Sequence, residues 1–247
     1  MVPQAVLGAY SWEGLSVRAA TSGLINDTYF VMDGDEPQAV LQRLHPVFAA
    51  EVNTDLDAVT QHLANRGLRT PRLIRTASGK RWVEHDSKVW RAISYVSGRT
   101  FEQVPSTDAA YSAGQLVGAF HVAMTDLDHT FVHVRAGVHD TASHIAKLAQ
   151  LRSTQSIPAI DALADRILAE AEDLFDFSAL PLRPCHGDLK ISNVLFADDS
   201  MDAVCLIDLD TNAMQHIAFE LGDALRSWCN PNAEDVEVPE VSLDILE

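Results

Sequence analysis

The stretch HGDLKISNVLF, His186 to Phe196, and the stretch LIDLD, Leu206 to Asp210, decide how this sequence folds and what it can do. Their apolar letters predict two short buried strands. If the two strands pair, Asn193 and Asp208 lie close together on rigid backbone, and Asp188 stands five residues before Asn193. The two stretches therefore predict one compact group of oxygen-bearing side chains.

This group has the chemistry that phosphoryl transfer requires. Such a transfer needs a base at the acceptor hydroxyl and oxygen ligands that hold Mg²⁺ on the phosphates. We predict Asp188 as the catalytic base, and Asn193 and Asp208 as the metal ligands. We also assign a catalytic role to Lys190, whose ammonium group can stabilise charge on the transferred phosphate. Ordinary turns also use Gly and Asp, but a turn does not explain Asn193 at this offset followed by IDLD.

The composition is that of an ordinary globular protein, and its charge argues against several classes of partner. Of the 247 residues, 47% are hydrophobic and 21% are charged, which argues against disorder. The formal net charge is −17, and so acidic a chain repels nucleic-acid backbones and anionic membrane surfaces. We therefore expect no nucleic-acid or membrane partner, and an anionic nucleotide needs a local cation.

Several features are typical of a cytoplasmic protein. Cys185, Cys205 and Cys229 are odd in number and lack the spacing of a zinc site or a redox pair, so we expect reduced core cysteines. The N-terminal sequence has no basic region followed by an apolar run, so no secretory signal is expected. The uncharged stretch between Asp108 and Asp126 contains Ser, Gln, Gly and His, which favours a buried helix over a membrane span.

The chain changes from β-rich to helix-rich sequence near SYVSGRT. Strands and turns are predicted on either side of a helix at 51–66. Three helices are predicted between 108 and 177, after which short strands return. We expect an α+β fold with a small β-rich N-lobe, residues 1–95, and a larger, mainly helical C-lobe, residues 96–247.

HGDLKISN resembles the catalytic loop of the aminoglycoside phosphotransferase and choline kinase superfamily, which is related to protein kinases. Further stretches are similar, in the same order, to N-acetylhexosamine 1-kinases: GLINDTYFV, VLQRLHPVF, CLIDLDTNAMQH and ELGDALRSWCN. This similarity runs from about Ser22 onward. It implies a protein-kinase-like two-lobed fold that uses ATP and Mg²⁺. It also implies a sugar and a nucleotide as partners, with phosphorylation of the anomeric hydroxyl of an N-acetylhexosamine.

The resemblance also implies a phosphate-binding loop and a cation near the nucleotide. SGLINDT stands where kinases carry a Gly-rich loop, which implies phosphate contacts from the backbone near Gly23 and from the side chains of Asn26 and Thr28. The strand lysine that grips the α- and β-phosphates in kinases is missing, and VLQRL offers Gln42 or Arg43 in its place. We favour Arg43, because a guanidinium group can bind phosphate through two N–H groups.

Two further assignments concern the surroundings of the nucleotide. The acidic helix partner of the strand arginine stays open among three residues: Glu51, Asp55 and Asp57. The connector between the lobes is expected to meet adenine with its backbone. It consists of Ser94, Tyr95 and Val96.

The catalytic loop is expected to need structural support. By the same resemblance, His186 braces this loop. Asp223 and Arg226 lie one turn apart on a helix predicted at 220–228. We expect Asp223 to buttress the catalytic loop, with a sugar contact from Arg226 as a second possibility.

Two other functions remain open. The first is another small-molecule kinase, with an aminoglycoside, choline or homoserine as acceptor, and the acidic balance suits a cationic acceptor. The second is a catalytically inactive nucleotide-binding homologue, which would explain the missing strand lysine but not the retained Asp188, Asn193 and Asp208. The resemblance also implies further C-terminal helices, so we expect the chain to be truncated or short after Glu247. The sequence does not indicate the oligomeric state.

Overall fold

The structure, a computed structural model, describes residues 2–20, 25–135, 137–174, 177, 179–232 and 240–246. The chain forms two compact units. Unit 1 contains Met1–Val134 and Arg183–Glu247, and unit 2 contains Arg135–Leu182. The predicted lobe boundary near residue 95 lies inside unit 1 and stays a prediction.

Unit 1 begins with a short helix, α1 (Gln4–Ala9), and an antiparallel sheet. The strands are β1 (Ser16–Ala19), β2 (Asp27–Asp33), β3 (Glu36–Arg43), β4 (Leu73–Ile74), β5 (Val83–His85) and β6 (Lys88–Ser94). Their order is β1-β2-β3-β6-β4, and β5 also pairs with β6. This β-rich start agrees with the predicted strands.

The two faces of this sheet differ in what they meet. Because side chains alternate along a strand, Leu41 and Trp90 lie on the same face, where they are buried in a cluster with Val6 of α1. The opposite face carries three residues that are neighbours in the strand register: Thr28, Gln42 and Arg91. Through Arg91, this second face contacts Asp210, as described below.

A long amphipathic helix, α2 (Val52–Asn65), crosses between strands β3 and β4. Its residues Leu56, Val59 and Leu63 recur at helical spacing and are buried in the main core of unit 1. The predicted helix at 51–66 is therefore confirmed to within one residue at each end.

The uncharged stretch of the sequence forms α3 (Thr107–Ala123). The hydroxyl of Ser106 caps this helix by accepting the N–H of Ala109 at 3.2 Å. Val117 and Phe120 are buried in the same core as α2. No helix within the described ranges is long and apolar enough to cross a membrane.

The stretches that carry the predicted catalytic residues form two small antiparallel pairs. The strands are β7 (Arg183–Cys185), β8 (Val194–Phe196), β9 (Ala203–Leu206) and β10 (Ala213–Gln215), and they are followed by α6 (Ile217–Trp228) and α7 (Leu243–Leu246). β7 pairs with β10, and β8 pairs with β9.

Unit 2 contains a helical pair. Its helices are α4 (Thr141–Thr154) and α5 (Asp161–Ala171), which contact each other. The Asp140 carboxylate caps α4 by accepting the N–H of Ser143 at 3.1 Å. Together with α3, these are the three helices predicted between 108 and 177.

Candidate active site

Strand pairing brings the backbones of Asn193 and Asp208 together. Val194 faces Leu206 in the β8–β9 register, and the N–H of Ile207 donates to the carbonyl of Asn193 at 3.0 Å. Asp208 itself has a left-handed conformation, with φ +62° and ψ +53°. The chain therefore leaves β9 in a sharp turn at the residue predicted to bind the metal.

Asp188, Lys190 and Asn193 form one contact group. The Asn193 amide nitrogen donates to the Asp188 carboxylate at 3.1 Å and to the Asp188 carbonyl at 2.8 Å. The Lys190 ammonium lies 3.1 Å from the same carboxylate oxygen of Asp188. Two donors thus hold one oxygen of Asp188, while the amide oxygen of Asn193 is the atom left for a cation.

Buried polar contacts at His186 and Gly187 hold the catalytic loop in place. The fully buried His186 ring shares a hydrogen bond with the carbonyl of Ile207 at 3.0 Å, which agrees with its predicted bracing role. Gly187 has φ +82°, and its N–H donates to the carboxylate of Glu220 at 2.7 Å. A Cβ atom at Gly187 would lie 2.5 Å from the carbonyl oxygen of Thr211, so only glycine fits there.

Glu220, which sequence reasoning missed, takes the buttressing position that was predicted for Asp223. Its side chain is buried and also lies 2.9 Å from His121 Nε2. Burial alone would raise the pKa of Glu220, but hydrogen bonds from His121 and the loop backbone, together with the nearby His186, lower it below its usual range. Asp223 instead pairs with Arg226 at 3.0 Å, one helical turn away.

Two further residues of α6 hold the same loop. The Trp228 indole N–H donates to the carbonyl of Leu189 at 2.8 Å. The Ser227 hydroxyl accepts the N–H of Ile191 at 3.3 Å. The loop between β7 and β8 is therefore pinned to one face of α6, which limits how far its carboxylate can move.

The Asp208 carboxylate is electrostatically strained. Asp208 is an exposed residue, but the protein packed around its inner side desolvates the carboxylate, and the negative charges of Asp210 and Asp188 lie nearby. These effects outweigh the attraction of Arg91 and raise the pKa of Asp208 to about 6. Such a carboxylate is poised to gain from a bound cation.

Asp208→Asn is expected to stabilise the protein at neutral pH when no metal is present. Because the folded pKa is raised from 3.8 to about 6, the folded state binds more protons than the unfolded chain in this window. Stability is therefore lost as the pH rises through it. The variant should have the higher urea midpoint at about pH 7.5, and the difference should shrink towards about pH 4. Asp199→Asn, in an exposed turn, is the matched control. A variant less stable than the wild type at neutral pH would contradict this explanation.

The available oxygen ligands suit a Mg²⁺ ion whose remaining coordination positions are filled by the phosphates of a substrate. The side chains of Asn193 and Asp208 offer hard oxygen ligands, and the nearby carboxylates leave negative charge that a divalent ion would neutralise. Among the residues that the structure describes, no group of three or more His, Cys, Asp or Glu side chains has the geometry of a metal site. The protein would thus supply two ligands, as is usual for Mg²⁺ bound with a nucleotide.

A buried ion pair joins the sheet to the turn that follows β9 and contains Asp208 and Asp210. The guanidinium of Arg91, only 2% exposed, binds both carboxylate oxygens of Asp210, one of them at 2.8 Å. Arg91 Nε also donates to the Gln42 amide oxygen at 2.8 Å. Asn26 completes this network by donating to Asp210 at 2.9 Å. Asp210 is two residues after Asp208, so the network fixes the turn that carries the predicted metal ligand.

The residues predicted to touch phosphate are placed differently from one another. Gly23 lies outside the described residues. The Asn26 side chain is occupied, because its amide donates to Asp210 and its oxygen accepts the N–H of His45 at 2.9 Å. The Thr28 hydroxyl accepts from the Gln42 amide at 3.4 Å, on the sheet face that also carries Arg91.

Arg43 lies on the other face of the sheet from Gln42. It forms an ion pair with Asp27 and stacks over the ring of Trp90, 6.0 Å from the ring centroid. Strand alternation is the reason, since Arg43 is in register with Trp90 while Gln42 is in register with Arg91. The buried cation that contacts the turn after β9 is therefore Arg91, and the phosphate role of Arg43 stays a prediction.

Among the described residues, Arg43 forms its ion pair with Asp27, and not with any of the three acidic residues predicted as its possible helix partners. Asp55 is buried and accepts the N–H groups of Val132 and His133 at 2.9 and 2.8 Å. Asp57 pairs with two arginines described below, and Glu51 is exposed.

The predicted connector begins with Ser94, the last residue of β6, and continues with Tyr95 and Val96. The Ser94 N–H donates to the carbonyl of Arg72 at 2.8 Å, and its hydroxyl accepts the Arg72 N–H at 2.9 Å. The Tyr95 ring packs edge-on against Phe30 at 6.0 Å. Ser94 is thereby hydrogen-bonded to Arg72, the residue before β4, and contact of the connector with adenine stays a prediction.

Comparison with known proteins finds a family match and relatives with named activities. The sequence profile of the phosphotransferase enzyme family matches residues 16–238. Homoserine kinase of Methylobacillus glycogenes is 27% identical over 220 residues, which cover 88% of this chain and 65% of the relative. The chain thus spans slightly less than two thirds of that relative's length.

Solved structures share the fold at low sequence identity. The aminoglycoside phosphotransferase of Alicyclobacillus acidocaldarius is 19% identical with a TM-score of 0.60, over 90% of this chain and 69% of that one. Choline kinase of Cryptosporidium parvum is 13% identical with a TM-score of 0.60, over 94% and 68% respectively. These likenesses, together with the N-terminal antiparallel sheet and the helical remainder, confirm the predicted α+β kinase-like fold.

Proposed function

Since the chain belongs to the phosphotransferase enzyme family, we propose that it is a small-molecule kinase that transfers the terminal phosphoryl group of ATP to a hydroxyl group. The observation that carries this proposal is the contact group of Asp188, Lys190 and Asn193, with Asp208 in the turn that follows the adjoining strand β9. Phosphoryl transfer depends mainly on positioning and on charge stabilisation, and this group supplies both.

In the proposed mechanism, Asp188 accepts the proton of the acceptor hydroxyl. The acceptor oxygen forms a bond to the terminal phosphorus as the bond from that phosphorus to the ADP oxygen breaks. Lys190 stabilises the negative charge on the transferred group. Asn193 and Asp208 would hold Mg²⁺, which, when bound, neutralises phosphate charge.

For the acceptor, we propose the anomeric hydroxyl of an N-acetylhexosamine, giving a sugar 1-phosphate. This rests on the similarity of several stretches to N-acetylhexosamine 1-kinases, among them CLIDLDTNAMQH and ELGDALRSWCN. Homoserine is the second candidate, because the relatives named homoserine kinase match 88% of this chain at 27% identity.

A phosphorus NMR assay separates these candidates. The protein is incubated with ATP and Mg²⁺ and, in separate samples, with N-acetylhexosamines, homoserine, choline or an aminoglycoside. We expect ATP consumption with the N-acetylhexosamines and a product signal coupled to the anomeric proton. A product only with homoserine would replace the first acceptor by the second. Nucleotide binding without transfer to any acceptor would overturn the kinase proposal.

A further inference from the structure

A polar pocket on α2 lies apart from the catalytic loop. It is lined by residues of α2, by Arg72 and the strand β4 that follows it, by the β4–β5 connection and by His129, and its volume is about 490 Å³, within the range of small-molecule sites. The residues that dominate its charge are Asp57, Arg72, Arg75 and Arg81. The helix face that it uses differs from the face that Leu56 and Val59 bury in the core.

The pocket carries an excess of positive charge. Its single acidic lining residue, Asp57, is shared by Arg75 at 2.5 Å and Arg81 at 2.9 Å. Arg72 donates to Gln61, which is neutral. Three guanidinium groups against one carboxylate leave two positive charges uncompensated, in a chain whose formal net charge is −17.

The arginines also offer N–H groups that lack acceptors. Among the described residues, Arg81 is hydrogen-bonded through its Nε, to Asp57, and its two terminal amino groups remain available. Guanidinium groups are best satisfied by the oxygens of a phosphate or carboxylate.

We propose that this pocket binds a small molecule that carries a phosphate monoester group. The two uncompensated charges, to which Arg72 contributes, match the dianionic form of such a group, and the terminal amino groups of Arg81 match its oxygens. The pocket is larger than a phosphate group alone, and Ala58 and Leu73 in its lining can contact the organic part. This site is independent of the catalytic group and of the acceptor proposed above.

Isothermal titration tests this site on the full chain. Three phosphate monoesters serve as probes: glycerol 3-phosphate, glucose 6-phosphate and phosphoserine. A chelator is present so that metal-dependent binding of the probes at the catalytic group does not contribute. The pocket variants are Arg72→Gln and Arg81→Gln. The control is Arg166→Gln, which removes the same charge from an exposed arginine whose ion pair is with Glu170 on α5. Thermal unfolding of each variant checks that it is folded.

We expect saturable binding of at least one monoester to the wild type. Each pocket variant should weaken it on the order of tenfold, the usual cost of losing a charge-assisted hydrogen bond. Arg166→Gln should leave it unchanged, and inorganic phosphate should bind more weakly than the monoester. Absence of saturable binding, or an equal loss in Arg166→Gln, would overturn the proposal. Inorganic phosphate binding as tightly as every monoester would also overturn it, because the pocket would then recognise only an anion.

Discussion

Asp188→Asn is expected to lower the turnover number on the order of 1,000-fold, the usual contribution of a positioned base. Asparagine keeps the shape of the side chain, but it cannot accept the hydroxyl proton, and Lys190 loses the carboxylate that lies 3.1 Å from its ammonium. Nucleotide affinity should change much less, because Asp188 is assigned to the acceptor and not to the phosphates. Turnover is measured with the acceptor that the NMR assay identifies.

The matched control for this prediction is Asp199→Asn. Asp199 lies in the exposed turn between β8 and β9, and the same chemical change there should leave turnover near the wild-type value. Near-normal turnover in Asp188→Asn would reject Asp188 as the base. A large parallel loss of nucleotide affinity would instead show that the substitution disturbs the whole loop.

Arg91→Met is expected to reduce the free energy of unfolding by about 3–5 kcal/mol, the usual cost of leaving one member of a buried ion pair alone. Arg91 is 2% exposed and Asp210 is equally buried, so removing the guanidinium leaves a carboxylate without its counter-charge. The Gln42 amide also loses its donor. Urea unfolding at neutral pH measures the effect.

Arg43→Met is the control, because the same substitution is made on the neighbouring strand at an exposed ion pair. The side chains of Arg43 and Asp27 are 42% and 47% exposed, and such pairs contribute about 0–1 kcal/mol. Equal losses in the two variants would contradict the role given to the Arg91–Asp210 pair. Nucleotide affinity of Arg43→Met also tests the predicted phosphate contact, since a large loss would support Arg43 as the phosphate-binding cation.

The local patterns of the sequence were sufficient for the helices α2 and α3 and for the paired strands β8 and β9. The offset between Asp188 and Asn193 and the apolar residues that follow are local features of the sequence, and they indicate a loop followed by a buried strand. The face of α2 is equally local, because Leu56, Val59 and Leu63 recur at helical spacing.

The Arg91–Asp210 pair was not predicted because it joins residues 119 positions apart. A signal was nevertheless present. Arg91 stands between Trp90 and Ala92 in an apolar strand, and a strand buried on both faces can hold a charge only if that charge is paired. Strand alternation places Gln42, and not Arg43, on the face of Arg91, and the phosphate contact of Arg43 stays a prediction.

The buttress of the catalytic loop was also assigned to the wrong residue of α6. Glu220 is buried, whereas Leu221 and Leu225 on the same helix are 43% and 42% exposed. Apolar residues lie on both sides of this helix, because Ala224 and Trp228 are buried on the same side as Glu220. The helical spacing of Glu220, Ala224 and Trp228 places Glu220 on the buried face, and the sequence reasoning did not use it.

In the proposed mechanism, Asn193 and Asp208 hold a divalent ion on the phosphates of a nucleotide. Calorimetric titration of ATP into the wild type and into Asp208→Asn, each with and without Mg²⁺, tests this role. We expect Mg²⁺ to strengthen ATP binding to the wild type and to have little effect on binding to the variant. The same Mg²⁺-dependent gain in both proteins, or no gain in the wild type, would contradict the claim.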